Sequence, residues 1–396
     1  MSDRRLLLVT AFLRALATGM IAVLLAAHLA SLSFRIDVIG YVVAAGLTGN
    51  AAALLVATLF ADRIGRKRFL LGLTATWAIG AAVVAVSSSA FAIGAGALVG
   101  MLNGMGRDRG AALAVEQAII PATTTDEKRT GAFAWYNALQ DAGHALGALL
   151  AGAPLLLERV FGTTLLAAHR VSLWAYVALA VVTLALYTRL SPGADARRDA
   201  LRPISPAGRR TLAKVCGLFA IDSLAGGFLT TALVSYFFFE RFGVGEAVVA
   251  VLFFGARVAN AASHFGAAAL ARKIGLVNTM VFTHMPSSVL LVTVAFAPSF
   301  GIAAALFLLR EGLVEMDVPT RQSYVMAIVA PEERTVASSV TNLVRMASWP
   351  AASLFGGVFM HRVSLMTPLV VGAAMKLAYD ALLYAAFRRT KPPEEA

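Results

Sequence analysis

The chain has 396 residues, of which 59% are hydrophobic and only 14% are charged. Its mean hydropathy of +0.76 excludes an ordinary soluble globular protein and indicates a polytopic membrane protein. The formal net charge of +12 does not indicate a nucleic-acid partner, because the basic residues concentrate in loops on one side of the predicted membrane.

A spanning helix needs about 20 mostly apolar residues, and runs of that kind recur from Leu6 to Phe387. The first run is too long for the apolar core of a cleavable signal. We predict an all-α polytopic membrane protein with twelve transmembrane helices at 6–32, 38–60, 69–87, 91–119, 131–156, 170–189, 211–238, 245–270, 276–296, 300–328, 335–360 and 368–387.

The basic residues assign an orientation to these helices. If the N-terminus is cytoplasmic, most of the 34 Lys and Arg residues lie at cytoplasmic ends or loops. Both termini are therefore predicted to be cytoplasmic by the positive-inside rule. The residues that fall on the other side are Arg35, Arg159, Arg170, Arg241 and Arg362.

The chain contains an internal repeat. The segment EQAIIPATTTDEKRTGAFAWYN at 116–137 aligns with RQSYVMAIVAPEERTVASSVTN at 321–342, and RALATG at 14–19 aligns with DSLAGG at 222–227. The loop RIG at 63–65 likewise matches KIG at 273–275. We predict two six-helix bundles related by a pseudo-two-fold axis, at 1–190 and 211–396, joined by a polar cytoplasmic linker at 191–210.

The loop after the second helix reads DRIGRKR at 62–68, and with the six-plus-six repeat it resembles the major facilitator superfamily. The blocks MDVPTRQSYVMA at 316–327 and NTMVFTH at 278–284 resemble a bacterial group of efflux permeases. The resemblance implies a bacterial inner-membrane protein whose helices one, four, seven and ten line a central cavity. It also implies a cytoplasmic gate at Asp62, Arg63, Gly65, Arg66 and Lys67, although Thr58 replaces a family Gly.

The fifth helix carries GHALGALLAG at 143–152. Gly143, Gly147 and Gly152 fit the superfamily's antiporter motif, whereas its Pro and one Gly are replaced by Ala. Ordinary packing of small residues explains the stripe equally well. In the fourth helix, Leu102 stands where the proton-relay motif of exporters expects Arg. Export is therefore favoured only weakly over import.

The tenth helix contains LLREGLVEMDVPTRQ at 308–322. A charge at the centre of a spanning helix costs roughly 2.5 to 3.5 kcal/mol on insertion scales, so this helix must face protein or water with its charges paired. Arg310, Asp317 and Arg321 share one helical stripe, and Glu311 and Glu315 share a neighbouring one. The fourth helix behaves alike, with charges at Arg107, Asp108, Arg109 and Glu116.

Further intramembrane charges divide into four sets. Arg14 and Asp222 occupy equivalent depths with opposite sign, and they either contact one another or substrate across the cavity or pair locally within their own halves. Asp222 is the predicted proton site, with Glu311 and Glu315 as competitors. The other sets are a gate at Glu116, Arg129, Arg321 and Arg334, an inter-bundle group at Asp141, Arg257 and Arg345, and a self-neutralising structural pair at Lys376 and Asp380.

We predict a secondary transporter that moves a small solute by alternating access in proton-coupled efflux. The alternative is an importer of a small anionic or zwitterionic solute, and a transport-dead sensor is the alternative of another class; measured solute flux separates them. The motifs HExxH, GxSxG and GxxxxGK[ST] do not occur, so no enzyme is predicted. The only cysteine is Cys216; no cofactor or metal is expected, and the predicted partners of the monomer are solute, protons and lipid.

Overall fold

The computed structural model describes residues 2–106, 110–123, 126–191, 205–327, 329 and 334–388. Within these ranges the chain forms helices and no strand, which confirms the all-α prediction. The helices are α1 Asp3–Ser31, α2 Ile36–Ile64, α3 Arg66–Val86, α4 Ala90–Gly100, α5 Ala111–Ile119, α6 Asp126–Leu150, α7 Ala153–Phe161, α8 Leu165–Thr188, α9 Pro206–Gly227, α10 Thr231–Phe242, α11 Glu246–Ile274, α12 Leu276–Ala295, α13 Phe300–Val314, α14 Asp317–Ala327, α15 Arg334–Arg362 and α16 Thr367–Phe387.

The twelve predicted spans correspond to these helices, but four of the spans are divided into two helices each. The prediction of continuous helices is therefore wrong at 91–119, 131–156, 211–238 and 300–328. The fourth span leaves the helix after Gly100, where Met101 adopts a φ of 52° and Gly106 a φ of 72°. The tenth span turns at Glu315 and Met316, between α13 and α14. In the described part of the chain, nine helical stretches are long and apolar enough to cross a membrane.

The internal repeat is visible in the backbone at two equivalent turns. Gly65 connects α2 to α3 with a φ of 98°, and Gly275 connects α11 to α12 with a φ of 87°. Both values lie in the left-handed region, which a residue without a Cβ adopts at little cost. The RIG and KIG segments therefore form the same sharp turn in the two halves.

The two bundles meet most extensively along two helix pairs, α2 with α15 and α6 with α11, and α1 also packs against α10. Near the ends predicted to be extracellular, Gly40 and Gly357 approach so closely that an added Cβ on Gly40 would lie 2.9 Å from the Cα of Gly357. The buried ring of His169 on α8 lies 2.8 Å from Glu246 Oε1 on α11. These contacts hold the bundles together at their outer ends.

Several predicted residues have no structural description. Residues 192–204 of the predicted linker lie outside the described residues, as do Arg107, Asp108 and Arg109 in the fourth span. The side chains of Asp62, Arg129 and Arg334 lie outside the described part as well. The predictions made for these residues stay predictions.

Candidate functional site

A cavity of about 120 Å³ lies among the helices of the C-terminal half. Its apolar wall includes Phe253, Leu291, Phe307 and Trp349, and Met105 is the lining residue that comes from the N-terminal half. The rest of the lining, here called the charged wall, carries both signs of charge. Its charged residues are Asp222, Arg257, Arg310, Glu311, Glu315, Asp317, Arg321, Arg345 and Lys376.

Asp222 is the centre of the charged wall. Its Oδ1 accepts a hydrogen bond from Lys376 Nζ at 3.0 Å, and its Oδ2 accepts one from Arg321 Nη1 at 3.2 Å. Arg345 Nη2 lies farther away, at 3.8 Å from Oδ2. The carboxylate is only 4% exposed, so these cations offset most of the free energy that burying its charge costs.

A buried histidine extends this network to a second carboxylate. Lys376 Nζ lies 3.2 Å from His284 Nε2, and His284 Nδ1 lies 2.9 Å from Asp380 Oδ1. Since an ammonium group can only donate, Nε2 accepts from Lys376 and Nδ1 carries the proton that it donates to Asp380. The chain of hydrogen bonds therefore runs from Asp222 through Lys376 and His284 to Asp380.

The predicted self-neutralising pair of Lys376 and Asp380 is wrong. No ion pair joins them: Lys376 bonds Asp222 on α9, and Asp380 bonds His284 on α12. A spacing of four residues brings side chains near each other on a helix, but α16 packs against both α9 and α12, and those helices present stronger partners. The sequence analysis thus missed three site residues, His284, Lys376 and Asp380. The two charges in the otherwise uncharged twelfth span were a signal that could have identified the last two.

The tenth span contributes a second cluster to the cavity wall. Arg310 forms an ion pair with the adjacent Glu311, whose Oε2 also accepts a hydrogen bond from Asn260 Nδ2 at 2.9 Å. Asp317 Oδ2 accepts from Arg321 Nη1 at 2.6 Å, one turn along α14. This pair agrees with the Asp317–Arg321 part of the predicted stripe, whereas Arg310 lies on α13 and does not continue it. The turn between α13 and α14 separates the Asp317–Arg321 pair from the Arg310–Glu311 pair.

The N-terminal half encloses a separate ion pair. Glu116, fully buried on α5, lies 2.6 Å from Arg14 Nη1 on α1. Its oxygens also accept hydrogen bonds from the hydroxyls of Thr10 at 2.5 Å, Tyr136 at 2.7 Å and Tyr187 at 2.6 Å. With four donors around one carboxylate, this site satisfies the rule that buried charges are paired and hydrogen-bonded.

These contacts decide two alternatives that the sequence left open. Arg14 and Asp222 do not meet across the cavity; each pairs within its own half, with Glu116 and Arg321 respectively. Glu116 and Arg321 each have an oppositely charged partner on the first helix of their own bundle, and the gate role predicted for them stays a prediction. The repeat preserves the position of the pair and reverses its sign.

The loop motif makes inter-helix contacts inside the N-terminal bundle. Arg66 is buried and donates from Nη1 to the carbonyl oxygen of Ala118 at 3.0 Å, and Lys67 Nζ donates to the carbonyl oxygen of Leu190 at 2.6 Å. The two side chains thus tie the start of α3 to the ends of the fourth and sixth spans that are predicted to be cytoplasmic. Arg63 is exposed, with its guanidinium 5.9 Å from the centre of the Phe60 ring.

We expect Asp62→Asn to slow transport while leaving membrane insertion intact, because the motif's acidic residue is predicted to hold the cytoplasmic gate. Initial flux into vesicles, normalised to the amount of inserted protein, is the measurement. The matched control is Arg68→Gln, which changes an exposed charge of the same loop. Unchanged flux in Asp62→Asn would remove the gate role.

The glycine stripe of the fifth span is used for close packing. A Cβ on Gly147 would collide with the carbonyl oxygen of Leu16 on α1, and one on Gly152 would lie 3.2 Å from the Cα of Ala247 on α11. Among the predicted inter-bundle residues, Arg257 and Arg345 line the cavity, whereas Asp141 is half-buried on α6. The packing interpretation of the stripe is therefore confirmed, and the antiporter interpretation stays a prediction.

Comparison with known proteins gives a consistent picture. The profile described as Major Facilitator Superfamily matches residues 7–353. The chain is 23% identical over 420 residues to the uncharacterized membrane protein YJR124C of Saccharomyces cerevisiae, covering 97% of this chain and 94% of that protein.

Solved transporter structures share the fold. The nucleoside transporter NupG superposes with a TM-score of 0.73 at 14% identity, covering 98% of this chain and 100% of that one. A bacterial homologue of the human lysosomal transporter Spinster gives 0.66 at 15% identity, with 97% and 94% covered. The human organic anion transporter MFSD10 gives 0.63 at 16% identity, with 97% and 100% covered.

Proposed function

Since the chain belongs to the Major Facilitator Superfamily and is a multi-pass membrane transporter, we propose that it is a secondary active transporter coupled to protons. It moves a small solute by alternating access, through rocking of the bundles 1–190 and 211–396 about the cavity. The protein acts as a monomer in a bacterial inner membrane.

The observation that carries proton coupling is the position of Asp222. An ionisable side chain inside a membrane span is a functional candidate by default, because its burial is costly. Asp222 lines the cavity, where it contacts Lys376, Arg321 and Arg345 from three different helices. All of these helices belong to the C-terminal bundle, so a shift of one helix against another within that bundle during the transport cycle changes the contacts, and with them the free energy of the charged carboxylate relative to the protonated one.

The direction of transport separates two versions of this function. Efflux follows from the resemblance to efflux permeases and from the glycine stripe at 143–152. Import of a small anionic or zwitterionic solute is favoured by the cationic residues of the cavity, and the human organic anion transporter MFSD10 shares the fold. The charged residues of the cavity favour a transporter over a transport-dead sensor, because a protein that moves no solute does not require charged residues in a cavity.

Reconstituted protein tests the function. Proteoliposomes with an imposed pH gradient and an entrapped pH-sensitive dye should show solute-dependent proton movement for at least one class in a panel of anions, zwitterions and cations. Protein-free liposomes are the control, and the sign of the proton movement gives the direction of coupling. Solute flux without proton movement would contradict proton coupling, and no flux for any class would favour the sensor.

The proposed orientation places both termini and the linker 191–210 in the cytoplasm. We expect a single cysteine introduced into the linker of a Cys216→Ala background to resist an impermeant thiol reagent added to intact cells. It should react after the cells are opened. A cysteine in the predicted outer loop at 243–245 is the matched control and should react in both cases. Labelling of the linker from outside would reverse the topology.

A further inference from the structure

We infer that the cavity binds a compact monoanion with an apolar body, and that the acidic group of this ligand takes over from Asp222 as the counter-ion of Arg345. The inference rests on the proposed transport function and names its substrate class. Four observations carry it: the uneven contacts of Asp222, the exposure of Arg345, the apolar wall beside it and the engagement of the other carboxylates.

The cations around Asp222 are not held equally. Lys376 and Arg321 approach its oxygens to 3.0 Å and 3.2 Å, and Arg321 is also bonded to Asp317 at 2.6 Å. Arg345 is 3.8 Å away, and its one hydrogen bond is donated by Nε to Ser223 Oγ at 3.3 Å. The guanidinium of Arg345 is therefore the cation whose partner can be replaced with the least loss of bonding.

Exposure indicates the same residue. The side chain of Arg345 is 15% exposed, compared with 4% for Arg321 and 8% for Lys376. Arg345 also lines the cavity. Of the three cations around Asp222, Arg345 is therefore the one most accessible to a ligand in the cavity, and a planar guanidinium suits a carboxylate because it donates two parallel hydrogen bonds.

The wall next to Arg345 is apolar and aromatic. Trp349 follows Arg345 by four residues on α15, so both side chains lie on one face of that helix. Phe253, Phe307 and Leu291 complete the wall. A cavity of about 120 Å³ limits the ligand to a small body, and the apolar wall favours a hydrocarbon or aromatic one.

Three carboxylates of the charged wall, Asp222, Asp317 and Glu311, are bound more closely than Arg345. Asp222 and Asp317 are bonded to cations at 3.2 Å or less, and Glu311 is bonded to Arg310 and Asn260. A cationic ligand would have to compete with these shorter bonds. Bringing another cation beside Lys376, Arg321 and Arg345 would also add repulsion.

Proton and anion binding should therefore favour each other. When Asp222 takes up a proton, Arg345 loses its acidic partner inside a buried site, and an anion restores one. By linkage, the anion in turn favours protonation of Asp222. The ionisable groups that face Asp222 from the surrounding helices stay in place during this exchange. They are His284, Asp317, Arg321, Arg345, Lys376 and, more distantly, Asp380. Proton and anion then cross the membrane in the same direction.

Three ring compounds of equal size test the site. Benzoate, benzamide and benzylamine are titrated against the purified full-length protein in lipid nanodiscs, with binding measured by calorimetry in neutral and in mildly acidic buffer. We expect saturable benzoate binding, stronger in the acidic buffer, and binding of the neutral and cationic analogues about tenfold or more weaker.

Variants connect the result to Arg345. Arg345→Gln should weaken benzoate binding about tenfold or more, Arg345→Lys should recover part of it, and the exposed Arg362→Gln on the same helix should have no effect. Asp222→Asn should bind benzoate independently of pH. Tightest binding of benzylamine, benzoate binding that is insensitive to Arg345→Gln, or no saturable benzoate binding would overturn the inference.

The assay needs no gradient, so its outcome is separate from that of the transport test. Proton-linked flux of a cation without benzoate binding would preserve the proposed function and remove the anion site. Benzoate binding without any proton-linked flux would preserve the site and remove the coupling.

Discussion

Asp222→Asn is expected to reduce proton-driven solute accumulation to the level of protein-free liposomes. Lys376 and Arg321 bond different oxygens of Asp222; Asn keeps the size of the side chain and one of these two acceptors, but it cannot change charge. The variant should therefore still exchange solute down the solute's own gradient. Accumulation driven by an imposed pH gradient and counterflow of labelled solute measure the two activities in the same vesicles.

Two further variants serve as controls for this result. Glu311→Gln and Glu315→Gln remove the competing carboxylates of the tenth span, and both residues line the same cavity. Each should retain pH-dependent accumulation. If Asp222→Asn keeps full pH-dependent flux while one of the two loses it, the coupling carboxylate lies on the tenth span. If none of the three matters, coupling through these residues is excluded.

Glu116→Ala is expected to cause the largest loss of stability. The substitution leaves Arg14 buried without its acidic partner, and it takes the acceptor away from the hydroxyls of Thr10, Tyr136 and Tyr187. Removing one member of a buried ion pair costs about 3 to 5 kcal/mol. Thermal unfolding of the purified protein in detergent, followed by circular dichroism, measures the change.

Two comparison variants distinguish the loss of the buried ion pair of Glu116 from a general effect of replacing Glu by Ala. Glu158→Ala, which removes a half-buried carboxylate on α7, should change the free energy of unfolding by no more than about 0.5 kcal/mol. The double variant Arg14→Met with Glu116→Leu should recover much of the loss, since an apolar pair can replace a buried ion pair. A stable Glu116→Ala protein would show that other groups hold Arg14.

The sequence predicted the fold and part of the site. Span positions follow from apolar runs alone, and the Asp317–Arg321 pair follows from helical spacing, because both depend on neighbours along the chain. The partners of Asp222 do not follow from neighbours along the chain. Lys376 lies on α16 and Arg321 on α14, so their convergence on one carboxylate depends on how three helices pack. The prediction paired Lys376 with Asp380 because spacing on a single helix was the only distance that the sequence contained.

The broken spans show the same limit. Residues 91–119 have the apolar content of one helix, yet the chain leaves the helix at Met101. Hydropathy measures the cost of burial and is insensitive to the backbone angles at a single residue. Gly106, whose φ of 72° suits glycine, was a local signal for this break. The turn at Glu315 and Met316 is followed by Pro319 in the first turn of α14, and a proline at that place was a local signal for a new helix start.

The reversed ion pairs also constrain how the two halves descended from a common ancestor. Arg14 and Asp222 occupy equivalent positions, as do Glu116 and Arg321, and after duplication one copy exchanged both signs. A single substitution in either pair would have placed two like charges in contact inside a membrane bundle, which is strongly unfavourable. Converting one pair into the other by single substitutions therefore requires an intermediate with an uncharged residue at one of the two positions, or a neighbouring charge such as Asp317 that offsets the like charges.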